Sequence, residues 1–110
     1  MAVPGEHLFD VEAANRRQKE ENGGYEVVHS SPGLEVGVYV LVAPEPDRQQ
    51  PHEDDEVYVV IEGRGTLEVE GREVDLEEGQ AMFVAAGADH RFTGYESLSL
   101  LVVFARRGAA

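Results

Sequence analysis

The sequence predicts an all-β domain, a sandwich or closed barrel, preceded by one short helix. From Tyr25 onward, short runs rich in Val, Leu, Tyr and Phe alternate with Gly, Pro and Asp, the spacing of a sandwich or barrel. No run of helical period interrupts them, which argues against a βαβ arrangement. Several of these runs are apolar on both faces and need cover on both.

Residues 1–24 read as an N-terminal segment with a helix over 8–22. Asp10 is its N-cap, Glu12 falls in the first turn, and Gly23-Gly24 ends it. Leu8, Phe9 and Val11 give its start an apolar edge while ANRRQKEEN is polar, so the helix is expected to pack by one end against the barrel. The barrel spans 25–106, followed by a tail at 107–110. Its strands are expected at 25–29, 35–43, 47–52, 56–61, 65–70, 73–76, 81–85, 90–93 and 97–105. In TLEVEGREV, Leu67 and Val69 alternate with Glu68 and Glu70, and Glu70-Gly71 forms the tight turn. Gly71 supplies the positive φ that a two-residue loop needs. In EVYVVIEG, Tyr58 and Val60 share one face, while Val57, Val59 and Ile61 make the other apolar too. LSLLVVFA (98–105) and VGVYVLVA (36–43) behave alike. The barrel interior covers one face. The second sheet, the N-terminal segment or another subunit covers the other, and a homodimer is the economical expectation.

One domain fits 110 residues. No cysteine is present, so a disulfide framework, a thiolate site and a cysteine nucleophile are excluded, and any metal must be held by nitrogen and oxygen donors. The net charge of −13, from 22 acidic and 9 basic residues, opposes binding to nucleic acid or anionic lipid. No stretch approaches the ~20 apolar residues of a membrane span. The start, MAVPGEHLFD, lacks the layout of a secretory signal. A soluble, cytoplasmic protein is the expectation.

Of the four histidines, His7 and His29 stand alone in the sequence and read as structural or solvated. His52 and His90 have company. In RQQPHEDDEVYVVIEGRG (48–65), an extended strand rising ~3.3 Å per residue would put His52 and Glu56 ~13 Å apart, too far to share an ion. If they do share one, the chain must turn through Glu53-Asp54-Asp55, residues suited to a turn. Gln50 and His52 then face the same way across Pro51, and Tyr58 follows Glu56 inward. In EEGQAMFVAAGADHRF (77–92), Glu78-Gly79 turns, an apolar strand follows, and Gly87 returns the chain through His90, with Phe92 on the same face.

These segments resemble the two motifs of the cupins. The first is G-x5-H-x-H-x3-4-E-x6-G. Gln50 stands in its first histidine position, His52 in the second, then come Glu56 and Gly63, while Pro44 replaces the opening glycine. The second is G-x5-P-x-G-x2-H-x3-N. Gly79, Gly87 and His90 match it, with Ala85 for proline and Gly94 for asparagine. The resemblance covers about residues 34 to 105. It implies a double-stranded β-helix, the cupin or jelly-roll barrel, with a divalent metal held by His52, Glu56 and His90, and by Gln50 in place of an imidazole. The amide is a weaker donor than imidazole for late transition metals; two histidines and a carboxylate match the facial set of non-haem iron enzymes. Fe, Mn, Ni and Zn all suit such donors.

Tyr58, Phe92 and one of Met82 or Phe83, with Val60, Val102 and Phe104, are expected to line a pocket for a small organic ligand, although each also serves as an ordinary core residue. Arg48 and Arg91 lie near the expected mouth and read as surface charges. One reading is a metal-dependent enzyme, dioxygenase- or isomerase-like, with Glu56 or Tyr58 moving a proton. The alternative is a non-catalytic ligand-binding or sensor module in which His52, Glu56 and His90 form a hydrogen-bonded cluster without metal. A merely filled barrel is the third.

Overall fold

The computed structural model describes residues 5–49 and 52–106, so Gln50 and the expected tail at 107–110 lie outside the described residues. The described residues form one helix, α1 (Val11–Glu20), and seven strands: β1 (Gly24–Ser31), β2 (Leu34–Val42), β3 (Asp55–Val69), β4 (Arg72–Glu77), β5 (Ala81–Val84), β6 (His90–Phe92) and β7 (Ser97–Ala105). Neighbours run in the order β1-β2-β7-β3-β4, and β5 and β6 also pair with β3. Every pairing is antiparallel.

The two strands expected at 56–61 and 65–70 are one strand of 15 residues. The first part of β3 lies between β7 and β5, with Glu56 opposite Phe104 and Val84. Its last part lies between β4 and β6, with Val69 opposite Arg72 and His90. A single strand therefore passes from one sheet into the other, and the core lies between them. Tyr58, Val60, Leu67, Leu98, Leu100 and Val102 are its buried centre; burying an aliphatic or aromatic side chain of this size contributes roughly 1.5–3 kcal/mol. The passage is made at Gly63, where φ is +82° and the register against β7 slips between Val60 and Glu62. The closing glycine of the first motif is thus the corner of the barrel. A Cβ at that position would run into the Ser97 carbonyl.

The tight turn holds as expected, with positive φ at Glu70 (47°) and Gly71 (80°). The expected strand at 47–52 is not formed by its described residues 47–49 and 52; there the backbone follows the contacts of a buried Asp47 instead.

The helix begins where Asp10 caps it, its carboxylate accepting the Ala13 N–H at 3.0 Å. It lies along the sheet rather than touching it by one end. Ala14 is fully buried against Val38 and Val40 of β2, because a methyl group lets the helix backbone approach closely. Arg17 pairs with Glu26 at 2.6 Å and Lys19 with Glu62 at 2.8 Å on its flanks; such exposed pairs contribute ~0–1 kcal/mol each. The second apolar face of β2 is therefore covered by α1. The outer face of β5 is not, and Phe83 there is 59% exposed.

Gly63→Ala combines an unfavourable φ with a backbone collision and is expected to lower stability by about 2–4 kcal/mol. Urea unfolding of the variant measures it, and an unchanged midpoint would show that the corner is not strained.

Candidate metal centre

Three segments supply the centre. His52 precedes β3, Glu56 is the second residue of β3, and His90 opens β6. Residues 53–54 bend, as sharing one ion would require. Two hydrogen bonds staple this bend to the segment after β5. The Gly87 N–H donates to the His52 carbonyl at 2.7 Å, and the Ala86 N–H donates to Asp55 Oδ1 at 2.8 Å. Glycine at 87, with φ +79°, sits inside the staple, and the chain then enters β6 at His90.

The donor atoms of His52, Glu56 and His90 all lie within 4.8 Å of one another. Ligands bound to one ion at ~2.0–2.2 Å are ~3 Å apart at right angles and at most ~4.4 Å apart in line, so binding an ion would draw the three donors closer. His90 Nε2 lies 2.7 Å from Glu56 Oε1, with both side chains almost fully buried. Glu56 Oε2 is buried without a hydrogen-bond partner. His90 Nδ1 lies 2.7 Å from the Ala88 carbonyl. A carbonyl only accepts, so Nδ1 carries the proton and the neutral ring turns the Nε2 lone pair toward the carboxylate. Two lone pairs cannot face each other at this distance without a positive charge between them. A proton on Nε2 supplies it, and so does a divalent ion. Burial pulls the His90 pKa down, but the Glu56 hydrogen bond, the Ala88 carbonyl and the charges of Glu56 and Asp47 together raise it above the usual imidazole value. The residues present fit an ion: two nitrogens, one carboxylate, and an orphan oxygen on that carboxylate.

His52 is held edge-on to Phe104, ring centroids 4.9 Å apart. Tyr58 Oη lies 3.1 Å from His90 Nε2 and donates to Gln49 Oε1 at 2.8 Å. Burial, then the charge of Glu56, raises the Tyr58 pKa far above its ordinary value, so the phenol stays protonated and is a hydrogen-bond partner rather than a base.

A cavity of about 310 Å³ opens beside His52 and Glu56. Of the residues expected to line it, Tyr58, Val102 and Phe104 do so, together with His52 and Glu56. Val60 and Phe92 are buried in the core behind it, Phe92 edge-on to Tyr58 at 4.9 Å, and Met82 packs against the same core. Phe83 points away. It stands opposite Val57, and in a strand alternate residues take alternate faces, so it shares the outer face. Gln50 lies outside the described residues. Arg48 and Arg91 are exposed, Arg48 3.9 Å from Glu45. The guanidinium at the cavity is that of Arg106, whose position just past β7 gave no sequence signal. His7 and His29 are not isolated either: their Nδ1 atoms meet at 2.9 Å on the surface.

Asp47 is the residue the sequence hid, in a Pro-rich stretch that reads as an ordinary strand approach. It is 6% exposed. Its carboxylate accepts the Tyr39 hydroxyl at 2.7 Å, the Phe92 N–H at 2.8 Å, and the backbone and side-chain N–H groups of Gln49 at 3.2 and 2.6 Å. Through Gln49 it fixes Tyr58, which touches His90. Asp47→Ala strands several buried donors at once and is expected to lower stability by about 2–4 kcal/mol. Asp47→Asn is expected to cost less. Denaturant unfolding of both variants checks this, and equal, small losses would show that the carboxylate is dispensable.

Among the described residues no helix is long and apolar enough to cross a membrane. Residues 38–104 match the family model described as a cupin domain. The chain is 33% identical over 97 residues to an uncharacterized protein of Streptomyces coelicolor, covering 87% of this chain and 92% of that one. A crystal structure from Thermus thermophilus superimposes with a TM-score of 0.76 at 28% identity, over 91% of this chain and 97% of that one. The DMSP lyase DddQ from Ruegeria pomeroyi superimposes with a TM-score of 0.71 at 19% identity over 80% of this chain, which spans only 49% of the lyase. A barrel threaded by one long strand, a His-Glu-His cluster at its open end and these matches lead to one conclusion: the chain belongs to the cupin family.

Proposed function

We propose that the chain holds a divalent metal on His52, Glu56 and His90 and binds or transforms a small organic molecule in the adjoining cavity, as a dioxygenase or an isomerase would. The observation behind this reading is the buried Glu56–His90 contact at 2.7 Å with a second carboxylate oxygen left unpartnered. A buried orphan of this kind costs ~1–3 kcal/mol or more, and a ligated ion would remove that cost. When bound, Fe, Mn, Ni or Zn supplies Lewis acidity toward a ligand oxygen, and the redox-active members also supply a site for dioxygen.

The protein's own contribution is positional. His90 is fixed by its Nδ1–H bond to Ala88, the arrangement that turns Nε2 toward a metal. Phe104 holds the His52 ring. The protonated Tyr58 hydroxyl, donating to Gln49, stands beside His90 and helps to hold that ring, and Val102 and Phe104 keep that side of the cavity apolar. Glu56 is committed to the ion in this reading, so of the two groups first considered for moving a proton neither is free to act as base. A second subunit would cover the outer face of β5, where Phe83 is exposed.

A second reading is favoured by the same contact. A proton alone closes the Glu56–His90 pair, which would make the cavity a non-catalytic ligand pocket without metal. Metal analysis of protein purified without a histidine tag separates the two. About one equivalent of Fe, Mn, Ni or Zn, lost in His90→Ala, supports the metal reading; apo protein that ignores added metal supports the other. By the resemblance, position 50 belongs to the ligand set, so Gln50→His is expected to tighten metal binding in competition with a chelator. Unchanged affinity would place that residue away from the ion.

A further inference from the structure

Tyr25 sits on β1 opposite Tyr39, with its ring edge-on to that neighbour at a centroid distance of 6.0 Å. Its side chain lies across Gly37 of β2, where a Cβ would collide with the Cε1, Cζ and Oη atoms of the ring. The missing side chain at 37 is thus what admits the tyrosine to the cavity it lines. The ring is then latched. Tyr25 Oη donates to Glu35 Oε2 at 2.9 Å, and Glu35 Oε1 accepts from Arg106 Nη2 at 2.8 Å, which also reaches Ser30 Oγ at 2.9 Å. Tyr25 remains 40% exposed, so part of the ring faces water while part of it lines the cavity that His52 and Glu56 also line.

Beyond the donor cluster, the apolar walls of the cavity are Tyr25, Tyr39, Val102 and Phe104, and the Glu35–Arg106 pair that holds Tyr25 stands at its edge. The hydroxyls of Tyr25 and Tyr39 are both engaged, by Glu35 and Asp47, so these tyrosines present mainly their rings. A volume of about 310 Å³ stands at the small end of ligand pockets, which run ~300–1,000 Å³.

We propose that Tyr25 is the specificity-determining wall of this cavity, and that the cavity takes a compact molecule with an oxygen at the metal end and an apolar ring or short chain reaching toward Tyr25. The inference rests on the cavity being the ligand site, as in the function proposed above. The position of the ring sets the longest ligand that fits. The Gly37 gap sets the position of the ring, and Glu35 with Arg106 keeps it there. Removing the ring opens the cavity to solvent at that end and extends it.

Calorimetric titration with a series of 4-alkylphenols, from methyl to hexyl, tests this on zinc-loaded and on metal-stripped protein. Wild type is expected to favour the short members. Tyr25→Ala is expected to shift the ratio of long-chain to short-chain affinity by about tenfold or more, the scale of a few methylenes accommodated or refused. Tyr25→Phe keeps the ring but loses the latch, and is expected to shift it less. Circular dichroism of each variant confirms that the barrel is folded. The same length ranking in wild type and Tyr25→Ala, or no binding of any phenol to either, overturns the proposal. Metal content measured on the same samples judges the metal reading separately: a shifted ranking without metal leaves the wall standing, and an unshifted ranking with a full equivalent of metal removes only the wall.

Discussion

His90 Nε2 and Glu56 Oε1 lie 2.7 Å apart with both side chains almost fully buried. In bulk solvent such a contact would be trivial, because water would separate or bridge the groups. Here both side chains are buried, and a buried carboxylate must find compensating charge. The rest of the centre follows from that requirement. Ala88 fixes which imidazole nitrogen faces the carboxylate, Tyr58 approaches the same nitrogen, and His52 stands close enough to complete a three-donor set.

The fold exists around that point in a specific sense. Strand β3 carries Glu56 and Tyr58 in one sheet and pairs with His90 in the other, so the distance between the carboxylate and the imidazole depends on the corner at Gly63. The bend at 53–54 is tied to the loop before β6 by one backbone carbonyl, that of His52, and one side chain, that of Asp55. Within the acidic run HEDDE, Asp55 belongs to this staple, because its carboxylate caps Ala86. Asp47 works at a greater remove. It gathers Tyr39, Gln49 and Phe92 from three segments and so sets the orientation of the Tyr58 hydroxyl.

Much of this was legible in the sequence. The alternation in TLEVEGREV and the glycine after Glu70 located a hairpin, because turn chemistry is local. The two motif halves brought His52, Glu56 and His90 together because their spacing encodes a bend and a return. What could not be read depended on contacts between distant segments. Strand β3 was divided in expectation because glycines interrupt it at 63 and 65, yet a glycine corner continues a strand as readily as it ends one. Whether Met82 or Phe83 faces inward stays open in the sequence because either parity suits an apolar run, and only the pairing of Phe83 with Val57 decides it. Asp47 and Arg106 were invisible for a plainer reason: a carboxylate in a Pro-rich stretch and an arginine after a strand are ordinary surface residues until three-dimensional partners surround them.

Nitrogen-15 NMR of the His90 ring reads the central requirement directly. In metal-stripped protein in slightly acidic buffer, both ring nitrogens should be protonated; on adding zinc, Nε2 should lose its proton and take the shift of a metal-bound nitrogen while Nδ1 keeps its own. An Nε2 that is unprotonated without metal and unmoved by zinc would contradict the account, because the carboxylate beside it would then need neither charge.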